Sequence, residues 1–148
     1  MAQKFKAYRL TLSTIAEAAY IKIAKEAVGP LERGEVGHAA VKRLRIVDEC
    51  LDTIIPHSPF ATDRALVGNL SNIFRVKKGR TRICYIASSA EFEIIVLYIS
   101  ETPRKEGDRH DPYAIFSSLV MSGKFDGIFD ALGVRRPKTL SAGSVSFQ

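Results

Sequence analysis

The chain has 148 residues, 46% of them apolar and 26% charged. That is enough for one domain with a sizeable core and too apolar for a disordered polypeptide. The net charge of +6 and a pI near 9.5 point to an anionic partner, whether nucleic acid, membrane surface or acidic protein. No apolar segment of signal-peptide length follows Met1-Ala2-Gln3-Lys4, and no run approaches the roughly 18 to 20 apolar residues of a spanning helix. A membrane protein is thereby set aside, and a cytoplasmic one is expected.

The first predicted element is a half-buried strand over 6–12, where Tyr8, Leu10 and Leu12 alternate with Ala7, Arg9 and Thr11. Thr14 and Glu17 then match the capping-box spacing, so a helix should begin there. Its apolar residues Ala16, Tyr20, Ile23 and Ala27 recur at helical spacing, and Gly29-Pro30 is expected to stop it. A second helix uses Val36, Ala40, Leu44, Val47, Leu51 and Ile54 and should end at Pro56. Residues 55–72, with Pro56, Ser58, Pro59, Thr62, Gly68 and Asn69, read as a loop.

Residues 74–85 run Phe-Arg-Val-Lys-Lys-Gly-Arg-Thr-Arg-Ile-Cys-Tyr, two strand-like stretches around one glycine. Between Arg64 and Ala90 there is no acidic residue, while Arg64, Arg75, Lys77, Lys78, Arg80 and Arg82 supply six positive charges, as many as the whole chain's net charge. The excess charge is local. With Lys78-Gly79 as the turn, Arg75 and Lys77 of one strand and Arg80 and Arg82 of the next would share a face, gathering four cations into a phosphate site. An apolar strand over 92–99 should follow, covered on both faces. Residues 101–111 are charged and loop-like. Asp111-Pro112 is a helix-start signal for a stripe of Tyr113, Phe116, Leu119 and Val120. Phe125, Ile128, Phe129 and Leu132 form a further short helix closed by Gly133. Residues 1–133 thus read as one domain and 134–148 as a flexible basic tail.

Cys50 and Cys84 lack the paired spacing of a zinc site and read as reduced core residues. His38, His57 and His110 have no partner at metal-ligand spacing; only His110, beside Asp111, lies near the basic region. No Gly-rich phosphate loop, Ser-His-Asp set or metal cluster is present in the pattern, so no metal and no cofactor is expected.

The element order, together with Leu66, Gly68 and Leu70, then Arg75-Val76-Lys77, Gly79-Arg80-Thr81-Arg82-Ile83-Cys84-Tyr85, Arg104 and Asp111-Pro112-Tyr113-Ala114-Ile115-Phe116, resembles the RelE/ParE superfamily of bacterial toxins, and more closely its YhaV branch. The resemblance covers roughly residues 8–123 in element order, and 54–120 residue by residue. It implies an α+β fold: a small antiparallel sheet of an N-terminal strand and a three-stranded meander, with a helical hairpin between them and a C-terminal helix. It also implies an endoribonuclease that cuts mRNA, often on the ribosome, inhibits translation and is neutralised by a cognate antitoxin; the YhaV branch points to an AbrB-like antitoxin dimer.

RNA cleavage by its own 2′-hydroxyl needs a base for that hydroxyl, cations for the charge developing on phosphorus, and an acid for the departing 5′-oxygen. Crowded cations favour the neutral form of a neighbouring amine, which makes a lysine usable as the base. Carried over from the family, Lys77 is the general base, Arg82 the phosphate clamp and Arg75 a second cation, with Arg104 after the last strand and Tyr113 orienting a base. Lys78, Arg80, His110 and Arg64 are candidates for RNA binding, and Arg80 competes with Arg82 as the clamp. The same cations could equally be the solvated face of an amphipathic hairpin or a docking surface for an acidic antitoxin. Two other functions compete: a ParE-like inhibitor of DNA gyrase, which needs no convergent phosphate ligands, and a nucleic-acid-binding module without catalysis, for which the stacking surface is thin.

Overall fold

The computed structural model describes residues 8–61, 65–66, 72–100 and 112–136, the first two residues of the last segment in their backbone only. Strand β1 (Arg9–Leu12) leads into the helical hairpin α1 (Thr14–Glu32) and α2 (Ala39–Glu49). A π-helical turn (Cys50–Ile54) and a last turn α3 (Ile55–His57) extend α2. The meander β2 (Phe74–Lys78), β3 (Thr81–Ser88) and β4 (Glu93–Ser100) follows, then α4 (Pro112–Met121) and α5 (Asp126–Leu132). The strands lie in the order β1-β4-β3-β2. The meander is antiparallel and β1 joins it parallel to β4, Leu10 opposite Ile94 and Leu12 opposite Val96, so the α+β sheet is mixed.

Period-two alternation decides what each face of the sheet buries. Val76, Ile83, Tyr85, Val96 and Ile99 point to one side, where Ile23 of α1 and Val47, Cys50 and Leu51 of the α2 extension close the core. Cys84, Ile86 and Leu97 point to the other, where Phe116, Phe125 and Phe129 of the C-terminal helices cover them. The result is three layers, helices on both faces of one sheet. Tyr85 is wholly buried, and its hydroxyl donates to the Pro59 carbonyl at 2.9 Å, which ties the segment after α3 to the sheet.

Helix boundaries differ from the sequence expectations for identifiable reasons. Helix α1 does start at Thr14, but its cap is Ser13, whose Oγ accepts from the Ala16 amide at 3.1 Å and donates to the Leu97 carbonyl of β4 at 2.8 Å. The capping box at Thr14 and Glu17 is one residue out of phase. Gly29-Pro30 does not end α1. Pro30 lies buried in its last turn, and the stop comes at Gly34, at φ +74°, where Gly34 donates to Leu31 at 3.1 Å and Glu35 to Pro30 at 2.9 Å. This is the Schellman arrangement, which needs a left-handed residue that glycine supplies without strain. Val36 is outside the second helix and exposed; His38 caps α2 through Nδ1, which accepts from the Ala40 amide at 3.0 Å. Pro56 does not end the second helical run either. The π turn before it widens the hydrogen-bond ladder, the Ile55 amide reaching back to the Cys50 carbonyl, so helical geometry persists through a residue with no N–H.

The C-terminal helices match the expectation, Gly133 closing α5 at φ +70°. The three residues beyond it stay docked: Val134 packs against the second core cluster, and Arg136 forks onto Asp130 and approaches Asp126 at 3.5 Å. That guanidinium, chiefly by hydrogen bonding, holds the Asp130 carboxyl below the usual carboxylate range. Residues 137–148, most of the expected tail, lie outside the described residues. Among the described residues no helix is long and apolar enough to cross a membrane.

Candidate functional site

The β2–β3 hairpin turns through Gly79 and Arg80, with Lys78 paired to Thr81. Gly79 is at φ +59°; glycine first and a side-chain residue second is the pattern of the II′ turn, whose twist suits a tight hairpin. The expected turn at Lys78-Gly79 is therefore displaced by one residue, with two consequences. Lys78 becomes the last residue of β2, and Arg80 belongs to the turn and not to the strand that carries Arg82.

The register then sorts the cations. Val76 and Ile83 face the helical hairpin, so Arg75, Lys77, Arg82 and Cys84 face the opposite side. Lys77 stands directly across from Arg82, and Arg75 across from Cys84. Lys77 is exposed, Arg75 half-buried, and Arg82 only 7% exposed. Nη1 of Arg82 donates to the Arg80 carbonyl at 3.3 Å, a bond that leans the guanidinium toward the hairpin tip. Lys78 goes to the other face, where its Nζ meets Oε2 of Glu49 at 2.6 Å. Arg80 is exposed and lies with Thr81 against α2. Of the four cations expected to share a face, three do so.

A bulge in β4 completes the face. Tyr85 pairs with Val96 but its neighbour Cys84 with Tyr98, so Leu97 is the extra residue, and Leu97 and Tyr98 both join the second core cluster. Beyond the bulge Ser100 pairs with Arg82. Two rungs therefore cross the sheet on one face: Lys77, Arg82 and Ser100, and beside them Arg75, Cys84 and Tyr98. Ser100 and Tyr98 were not read as site residues from the sequence. Their alternation at the end of an apolar run was a signal, but its phase depended on a bulge that no residue type announces.

Helix α4 roofs the inner rung. The Phe116 ring stacks on Tyr98 with centroids 5.6 Å apart and planes 29° apart. Tyr113 lies three residues earlier in the same helix, at the end nearer the loop from β4; its side chain is outside the described residues. Arg64, Arg104 and His110 also lie outside them.

Burial pushes the Cys84 thiol up to about 12, against a smaller opposing pull from Arg75. A thiol so placed is neutral at physiological pH and is no nucleophile. Cys50 is buried as well, and neither cysteine forms a disulfide. Among the described residues no three His, Cys, Asp or Glu side chains converge on a point that could hold a metal. The chemistry on offer is that of a cationic shelf: one exposed amine and one sheltered guanidinium facing each other on neighbouring strands, with a second guanidinium beside them.

A family model described as a toxin with endonuclease activity, of a toxin–antitoxin system, matches residues 11–135. Among solved structures the chain is similar to the RelBE2 toxin–antitoxin complex from Mycobacterium tuberculosis, at 17% identity over 67% of this chain and 95% of that one, with a TM-score of 0.48. No curated protein matches the chain significantly. The matched span runs from β1 through the basic hairpin to the residues docked behind α5, and the chain belongs to the YhaV family of toxins, endonucleases of toxin–antitoxin systems.

Proposed function

We propose that this toxin is an endoribonuclease that cleaves mRNA by attack of the RNA's own 2′-hydroxyl on the adjacent phosphorus, and that the shelf of Lys77, Arg82 and Arg75 is where it does so. The 2′-oxygen forms the new bond to phosphorus as the bond to the 5′-oxygen breaks. Lys77 takes the 2′-hydroxyl proton as general base, and a neighbouring cation returns a proton to the 5′-oxygen. Arg82 clamps the phosphate oxygens while charge builds on them, and Arg75 adds to the same field. Arg104 and Tyr113 complete the site by family resemblance, Tyr113 orienting a base, and Arg64 and His110 extend the RNA contacts. Arg80, at the hairpin tip, and Lys78, tied to Glu49, contact RNA from the rim.

The observation that carries this reading is the cross-strand pair of Lys77 and Arg82 on one sheet face. Cations opposed on neighbouring strands are placed to take one anion between them, and the phosphate of the cleaved bond is that anion. Its partners in the cell are mRNA, presented on the ribosome in the cytoplasm, and the antitoxin of its system, an AbrB-like dimer. The family description as an endonuclease supports this over gyrase inhibition or passive binding.

The test is cleavage of end-labelled mRNA, with and without programmed ribosomes, next to a matched DNA and an RNA carrying one 2′-deoxynucleotide at the mapped cut. Cuts ending in a 2′,3′-cyclic phosphate or 3′-phosphate, blocked by the single deoxy substitution, are expected. Cutting of DNA, or cutting indifferent to the 2′-deoxy substitution, would overturn the mechanism. No cutting, with inhibited gyrase supercoiling, would overturn the function.

A further inference from the structure

The helical-hairpin face carries two cations, Lys42 and Arg43, that RNA cleavage does not use. Between α2 and the tip of the β2–β3 hairpin lies a cleft of about 260 Å³ lined by Ala39, Lys42, Arg43, Ile46, Arg80 and Thr81. Three of these six residues are cationic and none is acidic. Lys42 and Arg80 are exposed; Glu26 of α1 reaches Arg43 at 3.2 Å from outside the lining. Between the cations the surface is apolar, formed by Ala39 and Ile46, and no aromatic ring lines it.

That composition separates two anionic occupants. A nucleic-acid strand would bring bases that need a ring to stack on, and the cleft has none. A protein segment with one apolar side chain and flanking carboxylates matches both parts, the apolar group seated on Ala39 and Ile46 and the carboxylates on Lys42, Arg43 and Arg80. We infer that this cleft receives an acidic, amphipathic segment of the antitoxin. The inference rests on the reading of this chain as a toxin–antitoxin toxin and says which face its partner grips: the one opposite Lys77 and Arg82. Arg80 connects the two faces, since its side chain borders the cleft while its carbonyl accepts from Nη1 of Arg82. An antitoxin holding the tip therefore bears on the residue that clamps phosphate without covering it.

The experiment uses the cognate antitoxin, separated from its complex with this chain and titrated back calorimetrically at low and moderate salt. The toxins compared are wild type, Lys42→Glu and the double variant Lys42→Glu/Arg43→Glu, each also assayed for RNA cleavage without antitoxin. For the double variant the antitoxin Kd should rise about tenfold or more and lose most of its salt dependence, while cleavage stays at the wild-type rate. Because the double variant gives up the Arg43–Glu26 pair, melting curves accompany it, and the single exposed substitution at Lys42, expected to weaken binding about threefold or more, carries the test if the double does not fold. An antitoxin Kd unchanged in both variants overturns the inference, as does lost RNA binding with antitoxin binding intact, which would give the cleft to nucleic acid. Wild-type toxin that binds antitoxin but cuts no RNA would sink the proposed nuclease and leave this comparison standing.

Discussion

Lys77 of β2 and Arg82 of β3 are register partners on the sheet face turned away from the helical hairpin, the lysine exposed and the arginine almost wholly covered. Directly opposed side chains in an antiparallel pair have Cβ atoms about 4.5–5.5 Å apart, and like charges there cost stability. That placement suits the phosphate binding proposed for this face. Lys77→Gln should therefore raise unfolding free energy by about 0.2–1 kcal/mol while lowering the RNA cleavage rate about 10²–10³-fold. Arg82→Gln should lower cleavage by a similar factor. Single-turnover cleavage and urea unfolding on the same preparations check both; a variant that keeps full activity removes that residue from the mechanism.

Ser13 joins the start of α1 to the bulge of β4 through one buried hydroxyl, which accepts from the Ala16 amide and donates to the Leu97 carbonyl. Ser13→Ala removes the cap and strands a buried acceptor, so a loss of about 2–3 kcal/mol is expected, from about 1 for a cap and 1–2 for the unmet carbonyl. The bulge also sets the phase that puts Ser100 beside Arg82, so cleavage should fall in Ser13→Ala by more than the unfolded fraction explains. Urea midpoints at constant slope, with activity per folded molecule, separate the two effects.

Tyr20 of α1 donates to Oδ1 of Asp48 of α2 at 2.7 Å, a hydrogen bond across the helical hairpin. That bond first, then burial and the charges of Asp48 and Asp52, pushes the phenol up to about 12 from 10.0. The folded protein thus holds a proton that the unfolded chain gives up. The resulting stability is fully present below pH 10 and is lost as pH rises from there toward 12. Tyr20→Phe should cost about 1 kcal/mol at neutral pH and flatten the decline of stability across that alkaline window. Thermal melts of both proteins from pH 8 to about 11 give the comparison.

Both cysteines are sealed, Cys50 at 0% and Cys84 at 1% exposure. Neither thiol should react with iodoacetamide in the native protein at pH 8, and both should react after denaturation. Mass spectrometry counts the adducts; native labelling of Cys84 would show that the inner rung of the site opens to solvent.

Much of this protein was legible in its sequence because periodicity is a local property. Alternation at Leu10 and Leu12 marked β1, the β-branched run marked β4, and the stripe from Phe116 to Leu132 marked the two C-terminal helices. The acid-free stretch around Arg75, Lys77 and Arg82 located the basic face. Stop signals were less dependable: Gly29-Pro30 and Pro56 both sit inside helical geometry, Pro30 buried in the last turn of α1 and Pro56 behind a π turn whose widened ladder carries the Ile55 amide back to the Cys50 carbonyl. What only the tertiary structure decided is which cations meet. A one-residue shift of the turn moved Lys78 to Glu49 and Arg80 to the tip, and a bulge at Leu97 brought Ser100 under Arg82. Strand side chains alternate with a period of two, so single-residue offsets invert a face. Such offsets are set by pairing across strands, and no single segment of the chain encodes them.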